Sequence, residues 1–486
     1  MIGFGTQEDR PVHFGDVGAV AAGHPLAVEA GLAALRQGGT AADAAVAASF
    51  ALMVTLPQAC ALGGDAMILA SNSTGTHAFN GSGSAPLRWC PPVAASGAAT
   101  ATVPGAVHAL FEMHEQLGRL PWPTLLSAAI TLAEEGFPAS EELVAATIRN
   151  QDLLVASTWP AQHVRLGELL RNEPLAHTMR RLADGGSAEF YQGITARQFV
   201  AALQARGSMM SAEDLASHRT PTPQPVSVQL GAARLTVQPP VSQAILGALA
   251  LVSMQDVPAQ MPRESLLVEA MGNAFQSREL VMTTPPDQLL STAVAPTGQR
   301  VTRASGATGG NHTAAITCVD AEQNVISLLV SIYQEFGCFE YIPELGFFVN
   351  NRLKGADLAP LSEDRRPIHT LSPMILETPE TVVALASPGA DAQVQVLAQV
   401  IDDILTCGSG IGAAIDSPRW RLHDGDLLCE QGMSPERVAS LEQVGHLVHT
   451  LPFGHMNFGA VAAAGFADNR PFSIADRRRS YSADAT

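Results

Sequence analysis

The chain has 486 residues, of which 47% are hydrophobic and 15% charged, with a formal net charge of −18. That composition excludes a disordered chain and fits a well-packed body: roughly two to four average domains, or one large α/β unit. The acidity argues against nucleic acid or an anionic membrane as the main partner, so any anionic ligand must meet a local positive cluster.

Met1 to Arg10 carries no charged-then-apolar signal pattern, and the expected location is the cytoplasm. Val17 to Ala22 reads as a strand, and His24 to Gln37 as a helix closed by Gly38-Gly39. Thr40 can cap a second, alanine-rich helix from Ala41 to Leu56. That run is too short to span a bilayer, and Asp43 interrupts it. Gly63-Gly64-Asp65 opens a strand over Ala66 to Ala70. Asn72 to Gly75 makes a turn, and a strand or loop follows to Asn80-Gly81-Ser82-Gly83-Ser84-Ala85-Pro86. From Pro104 to about Val301 the signals are mostly helical, interrupted at Pro221 to Pro225 and at Pro239-Pro240. After Thr313 the chain returns to strands, and Asp391 to Leu405 reads as a helix. Two β-rich ends around a helical middle most simply pair in one sandwich of sheets flanked by helices.

The six cysteines have no CxxC spacing and read as reduced, buried small hydrophobes. The histidines form no metal-type cluster, so neither a metal nor another cofactor is expected.

The most informative stretch is Gly306-Ala307-Thr308-Gly309-Gly310-Asn311-His312, flexible and turn-prone. It runs into the β-branched, apolar Thr313 to Val319, then the turn Asp320 to Asn324 and a second apolar run, Val325 to Val330. A threonine at the head of a buried strand, once freed as an N-terminus, is a nucleophile carrying its own base. An α-amine with pKa near ~8 can take the hydroxyl proton at neutral pH. By itself this pattern is also that of an ordinary strand start.

Other segments carry a family resemblance. Val20-Ala21-Ala22-Gly23-His24-Pro25-Leu26-Ala27, Gly38 to Ala47, Gly63-Gly64-Asp65-Ala66, Val103 to Val107 and Ala133 to Phe137 resemble the N-terminal half of the γ-glutamyltransferase family. Thr313 to Asp320, Leu371-Ser372-Pro373-Met374 and Ser387-Pro388-Gly389-Ala390 resemble its small-subunit motifs, in the family's order. The resemblance implies an α/β (α+β) fold: the four-layer αββα N-terminal-nucleophile hydrolase sandwich. It also implies a proenzyme that cuts itself before a threonine. Counting back from Val319-Asp320 places that threonine at Thr313 and the cut after His312. The products would be a large subunit, residues 1–312, and a small subunit, residues 313–486, held together as a heterodimer that could pair further.

Departures from the family pattern choose the branch. The segment matching the family's Asp-Phe-Arg-Glu, Phe79 to Pro86, has no arginine. Its Asn-Asn-Glu followed by Asp-Asp becomes Asn350-Asn351-Arg352-Leu353-Lys354-Gly355, and its paired serines become His369-Thr370. A glutamyl ammonium would meet Arg352, a repulsive arrangement. Ser331-Ile332-Tyr333, Phe336-Gly337, Asn351-Arg352 and Arg366-Pro367-Ile368-His369-Thr370 resemble the γ-glutamyltransferase-like amidohydrolases that include oxamate amidohydrolase. The expected substrate is then a small amide bearing a carboxylate, which an arginine fork can bind in bidentate fashion.

By resemblance, Thr313 is the nucleophile, Ser331 supports it, and the N–H groups of Gly389 and Ala390 form the oxyanion hole. Tyr333, two residues on from Ser331 and expected on the same face of its strand, lines the substrate pocket with Arg352, Arg366, His369 and Thr370. His312, at the scissile bond, has no role after maturation. Two alternatives remain: a γ-glutamyl hydrolase or transferase acting on glutathione-like substrates, and an uncut, non-catalytic scaffold.

Overall fold

The computed structural model describes residues 12–255, 257, 262–301, 312–406, 408 and 410–486. The turn-prone stretch from Gly306 to Asn311 lies outside them, as does Met1 to Arg10.

Two antiparallel sheets form the centre. The strands used below are β1 (His13–Phe14), β2 (Gly18–Ala22), β3 (Asp65–Asn72), β4 (Gly75–Gly81), β5 (Val226–Leu230), β6 (Ala233–Val237), β7 (Ala314–Asp320), β8 (Val325–Ser331), β9 (Met374–Glu377), β10 (Thr381–Ala386), β11 (Ala462–Ala467), β12 (Arg470–Ala475) and β13 (Ser482–Ala485). One sheet has the order β13-β2-β7-β8-β3-β4, the other β1-β12-β11-β10-β9-β6-β5. Helices α1 (Pro25–Arg36), α2 (Ala41–Thr55), α3 (Ala106–Leu117), α4 (Trp122–Glu135), α5 (Glu141–Arg149) and α6 (Glu173–Gln192) lie on the side of the first sheet. Helices α7 (Ala244–Ser253), α8 (Arg263–Gln276) and α9 (Ala392–Thr406) lie against the second.

Period-2 alternation builds these layers. In β7, Ala314, Ile316 and Cys318 point to the helical side, while Ala315 and Val319 point between the sheets. The inter-sheet layer is dominated by small residues, among them Ala19, Ala21, Ala78, Ala315, Ala384, Ala386, Ala462 and Ala464, which let the two sheets approach closely. Added side-chain bulk there would cost about 1–3 kcal/mol through overpacking. The result is a four-layer αββα sandwich.

Helix α2 begins where its cap dictates. The Thr40 side chain accepts from Asp43 N, and the Asp43 carboxylate accepts from Thr40 N at 2.8 Å, a reciprocal capping box. Every residue of α2 is buried, so the helix is apolar all round rather than amphipathic.

Three expectations need correction. The mostly helical middle contains the hairpin β5–β6, which extends the second sheet beyond β9. Its two proline clusters flank strands rather than separate helices. Cys90 is exposed, whereas Cys60, Cys318, Cys338 and Cys429 are buried, and all five are free. Tyr333 does not continue the Ser331 strand: β8 ends at Ser331, and Tyr333 has φ +78° in the loop beyond. None of the described helices is long and apolar enough to cross a membrane.

Candidate active site

Strand register brings the candidate residues to one end of the sandwich. Ser331 is paired with Asp65 across β8–β3, and Val330 with Ala314 across β8–β7, which leaves Thr313 opposite Ser331. The Thr313 hydroxyl donates to Ser331 Oγ at 3.3 Å, and Tyr333 N donates to the same oxygen at 3.0 Å. Residues opposite one another share a face. Thr313, Ser331 and Asp65 therefore form a row on the inter-sheet side, in step with Ala315, Leu329 and Met67. Leu371 and Ala386 belong to that same cluster. The chain segments beside them, His369-Thr370 and Ser387 to Ala390, thus reach the same end.

Asp65 organises the charges. Arg352 Nε donates to Asp65 Oδ2 at 3.0 Å, and both side chains are fully buried. Leu371 N donates to His369 Nδ1, so the ring proton sits on Nε2 and points to Asp65 Oδ2 at 3.3 Å. Burial, reinforced by the charge of Arg352, lowers the His369 pKa to about 4, so the ring is neutral near pH 7. The Arg352 guanidinium lies 4.4 Å from the centroid of the Tyr333 ring. Its Nη1 and Nη2 are buried without a hydrogen-bond partner among the described residues, as is Asp65 Oδ1. A buried guanidinium with two unspent donors is a costly arrangement, and an anion would relieve it.

The turn before α9 is strained in a useful way. Gly389 has φ +126° and Ala390 φ +50°. The turn's own bonds, Ala392 N to Gly389 O and Gln393 N to Ala390 O, use the two carbonyls as acceptors. The N–H groups of Gly389 and Ala390 are left without a protein acceptor among the described residues. Alanine in the left-handed region is uncommon, and such residues cluster at functional turns. The loop over the site repeats this feature: Tyr333, Phe336 and Phe339 all have positive φ.

Arg366 is turned to a different task from the one expected. Its Nε bonds to Asp364, Nη1 to the Ser82 carbonyl and Nη2 to the Arg219 carbonyl at 2.9 Å. It therefore braces the Phe79 to Pro86 segment, the one that lacks an arginine of its own. Thr370 is buried, and its carbonyl accepts from Ser372 Oγ at 3.0 Å. His312 is also buried, with Nε2 donating to Glu335 Oε1 at 2.6 Å. Sequence reasoning passed over Asp65 and Glu335. A glycine pair before an aspartate reads as an ordinary strand opening, and only the fold brings Asp65 to Arg352.

Comparison with known proteins settles the lineage. The family described as Gamma-glutamyltranspeptidase matches residues 27–486. The chain belongs to the γ-glutamyltranspeptidase family. It is an enzyme of the N-terminal-nucleophile hydrolase class. Among its relatives is the oxamate amidohydrolase proenzyme of Klebsiella pneumoniae, 32% identical over 89% of this chain and 92% of that one. The glutathione hydrolase-like YwrD proenzyme of Bacillus subtilis is 29% identical over 88% and 90%. A crystal structure of cephalosporin acylase from Bacillus halodurans superposes with a TM-score of 0.89 at 26% identity, covering 99% of this chain and 98% of that chain.

Proposed function

We propose that this member of the family is a self-processing amidohydrolase acting on a small, carboxylate-bearing amide of the oxamate type. The cut falls between His312 and Thr313, and residues 1–312 and 313–486 stay together as a heterodimer. The observation that carries the substrate class is Arg352. Its two unspent NH2 groups are buried, and its Nε is fixed by Asp65, which lies in the same row as Ser331 and Thr313. A planar anion paired there would leave its amide carbonyl for Thr313 to attack.

In turnover, the freed α-amine of Thr313 takes the Oγ proton and Oγ adds to the amide carbon. Ser331 holds the hydroxyl, and the N–H groups of Gly389 and Ala390 receive the oxyanion. The amine returns the proton to the departing nitrogen, ammonia leaves, and water hydrolyses the ester. His369, Thr370 and Tyr333 shape the pocket wall, and Arg366 supports it from behind. The Klebsiella relative's name is consistent with this reading.

A γ-glutamyl hydrolase activity is the second reading, favoured by the name of the Bacillus subtilis relative. One preparation assayed with oxamate and with a γ-glutamyl anilide separates the two. Ammonia from oxamate with little anilide turnover is expected; the opposite result reverses the ranking. Denaturing electrophoresis with N-terminal sequencing tests the nucleophile. The wild-type chain yields a fragment beginning at Thr313, and Thr313→Ala stays as one 50.8 kDa band. A Thr313→Ala protein that still splits and turns over substrate removes the proposal.

A further inference from the structure

His312 is 3% exposed, although histidine is not among the residue types most often fully buried. Its Nε2 donates to Glu335 Oε1 at 2.6 Å, and Arg149 Nη2 donates to that same oxygen at 2.6 Å. Asn150 Nδ2 donates to the other oxygen of Glu335 at 2.7 Å. On the far side of the ring, Nδ1 faces Glu142 Oε1 at 3.5 Å without a hydrogen bond, and Arg479 faces Glu142 at 3.7 Å. Burial alone would raise the Glu335 pKa, but the bonds from His312 and Arg149 override it and hold it at about 2. A cavity of about 440 Å³ lined by Glu142, Arg149, His312, Arg477 and Arg479 opens beside this cluster.

We propose that Glu335 and Glu142 form a clamp on the His312 ring that positions the His312–Thr313 peptide bond for self-cleavage, an inference that rests on the reading of Thr313 above. The bond is then restrained from both ends. Thr313 is held by its neighbour Ala314, the first residue of the β7 ladder, and by its bond to Ser331, and His312 is held by its ring. The atom that Thr313 Oγ must reach is the His312 carbonyl carbon. Its remaining freedom is the tilt of one peptide plane, which is the motion the reaction needs. The Oγ–C bond forms, the C–N bond breaks, and the hydroxyl proton ends on the departing nitrogen. Water then adds to the ester, restoring the Thr313 hydroxyl and leaving a carboxylate on His312. Glu142 and Arg149 precede the cut, whereas Glu335 and Arg479 follow it. The clamp therefore spans the two future subunits, and a single carboxylate-to-amide change weakens it.

The test is the rate at which the intact full-length chain converts to two bands after purification as precursor, in wild type, Glu335→Gln, His312→Ala and the double variant. Each single change is expected to slow conversion by roughly 10- to 100-fold, as loss of orientation does. The double variant should be no slower than the slower single one, because both changes remove the same contact. The fraction that has matured should hydrolyse substrate with wild-type kcat/KM, a split that a general folding defect would not produce. Glu335→Gln maturing at the wild-type rate overturns the clamp, and so do effects that multiply in the double variant. Thr313→Ala run alongside keeps the two ideas apart. Cleavage in that variant sinks the nucleophile itself, whereas an uncut Thr313→Ala with normal Glu335→Gln maturation sinks the clamp alone.

Discussion

Replacing Arg352 by lysine probes the substrate class while sparing the fold. Removing the charge altogether would leave Asp65 buried and unpaired, a loss of about 3–5 kcal/mol that would confuse stability with recognition. Lysine keeps a cation against Asp65 but has no fork, so the donors that Nη1 and Nη2 now present are lost. A hydrogen bond to a charged group contributes about 1.5–3 kcal/mol, and the ammonium can replace part of one of the two. A net loss near 3 kcal/mol corresponds to about a 100-fold fall in kcat/KM. The assay compares ammonia release from oxamate with release from its neutral ester in wild type and Arg352→Lys. The anionic substrate should lose about 100-fold and the ester at most a few-fold, with two-band maturation intact. Equal losses on both substrates would refute the reasoning, because Arg352 would then be supporting the pocket rather than reading a carboxylate.

The turn at Gly389-Ala390, proposed to hold the oxyanion, makes a paired prediction: Ala390→Gly keeps the N–H and relieves the positive φ, so activity should stay within about twofold. Ala390→Pro removes that N–H and also forces φ from +50° to about −65°, so kcat should fall by at least about 100- to 1,000-fold, measured on protein that has already matured. Acid should weaken the fold in a defined window. Burial lowers the pKa of His24 and of His369 to about 4, so each ring binds a proton in the unfolded chain before it does in the native one. Their contribution is therefore complete above about pH 6.5 and is lost as the pH falls from there through 4. Denaturant midpoints that stay flat between pH 6.5 and 4 would contradict the burial of both rings.

The parts of the fold legible from the sequence are those in which local chemistry and tertiary packing agree. Thr40 announces the start of α2, and the glycine pair at Gly38-Gly39 marks the end of α1. The hairpin β5–β6 was also written in the chain. Val226, Val228 and Leu230 alternate with polar residues, and Gly231 with φ +60° turns the chain. The neighbouring prolines masked it, since they read as breaks in a helical region rather than as borders of an edge strand. The candidate site divides in the same way. Thr313 and Gly389-Ala390 sit in motifs that local pattern and family resemblance both mark. The tasks of Asp65, Glu335 and Arg366 follow from contacts between residues far apart in sequence: Asp65 with Arg352, Glu142 and Glu335 around His312, and Arg366 with Ser82 and Arg219. Only strand register and loop closure bring those partners together.

The weave of the first sheet bears on the two-chain product that the proposed cut would give. Strand β2, ahead of Thr313, is hydrogen-bonded between β13 and β7, both beyond it, and β3 is zipped to β8 along its length. The proposed cut before Thr313 would break one covalent link and leave these ladders intact. The two polypeptides of that proposed product would be born in a fixed one-to-one ratio and could not exchange partners without unravelling the sheet. Subunits carrying different mutations, mixed after folding, should never assemble into hybrids.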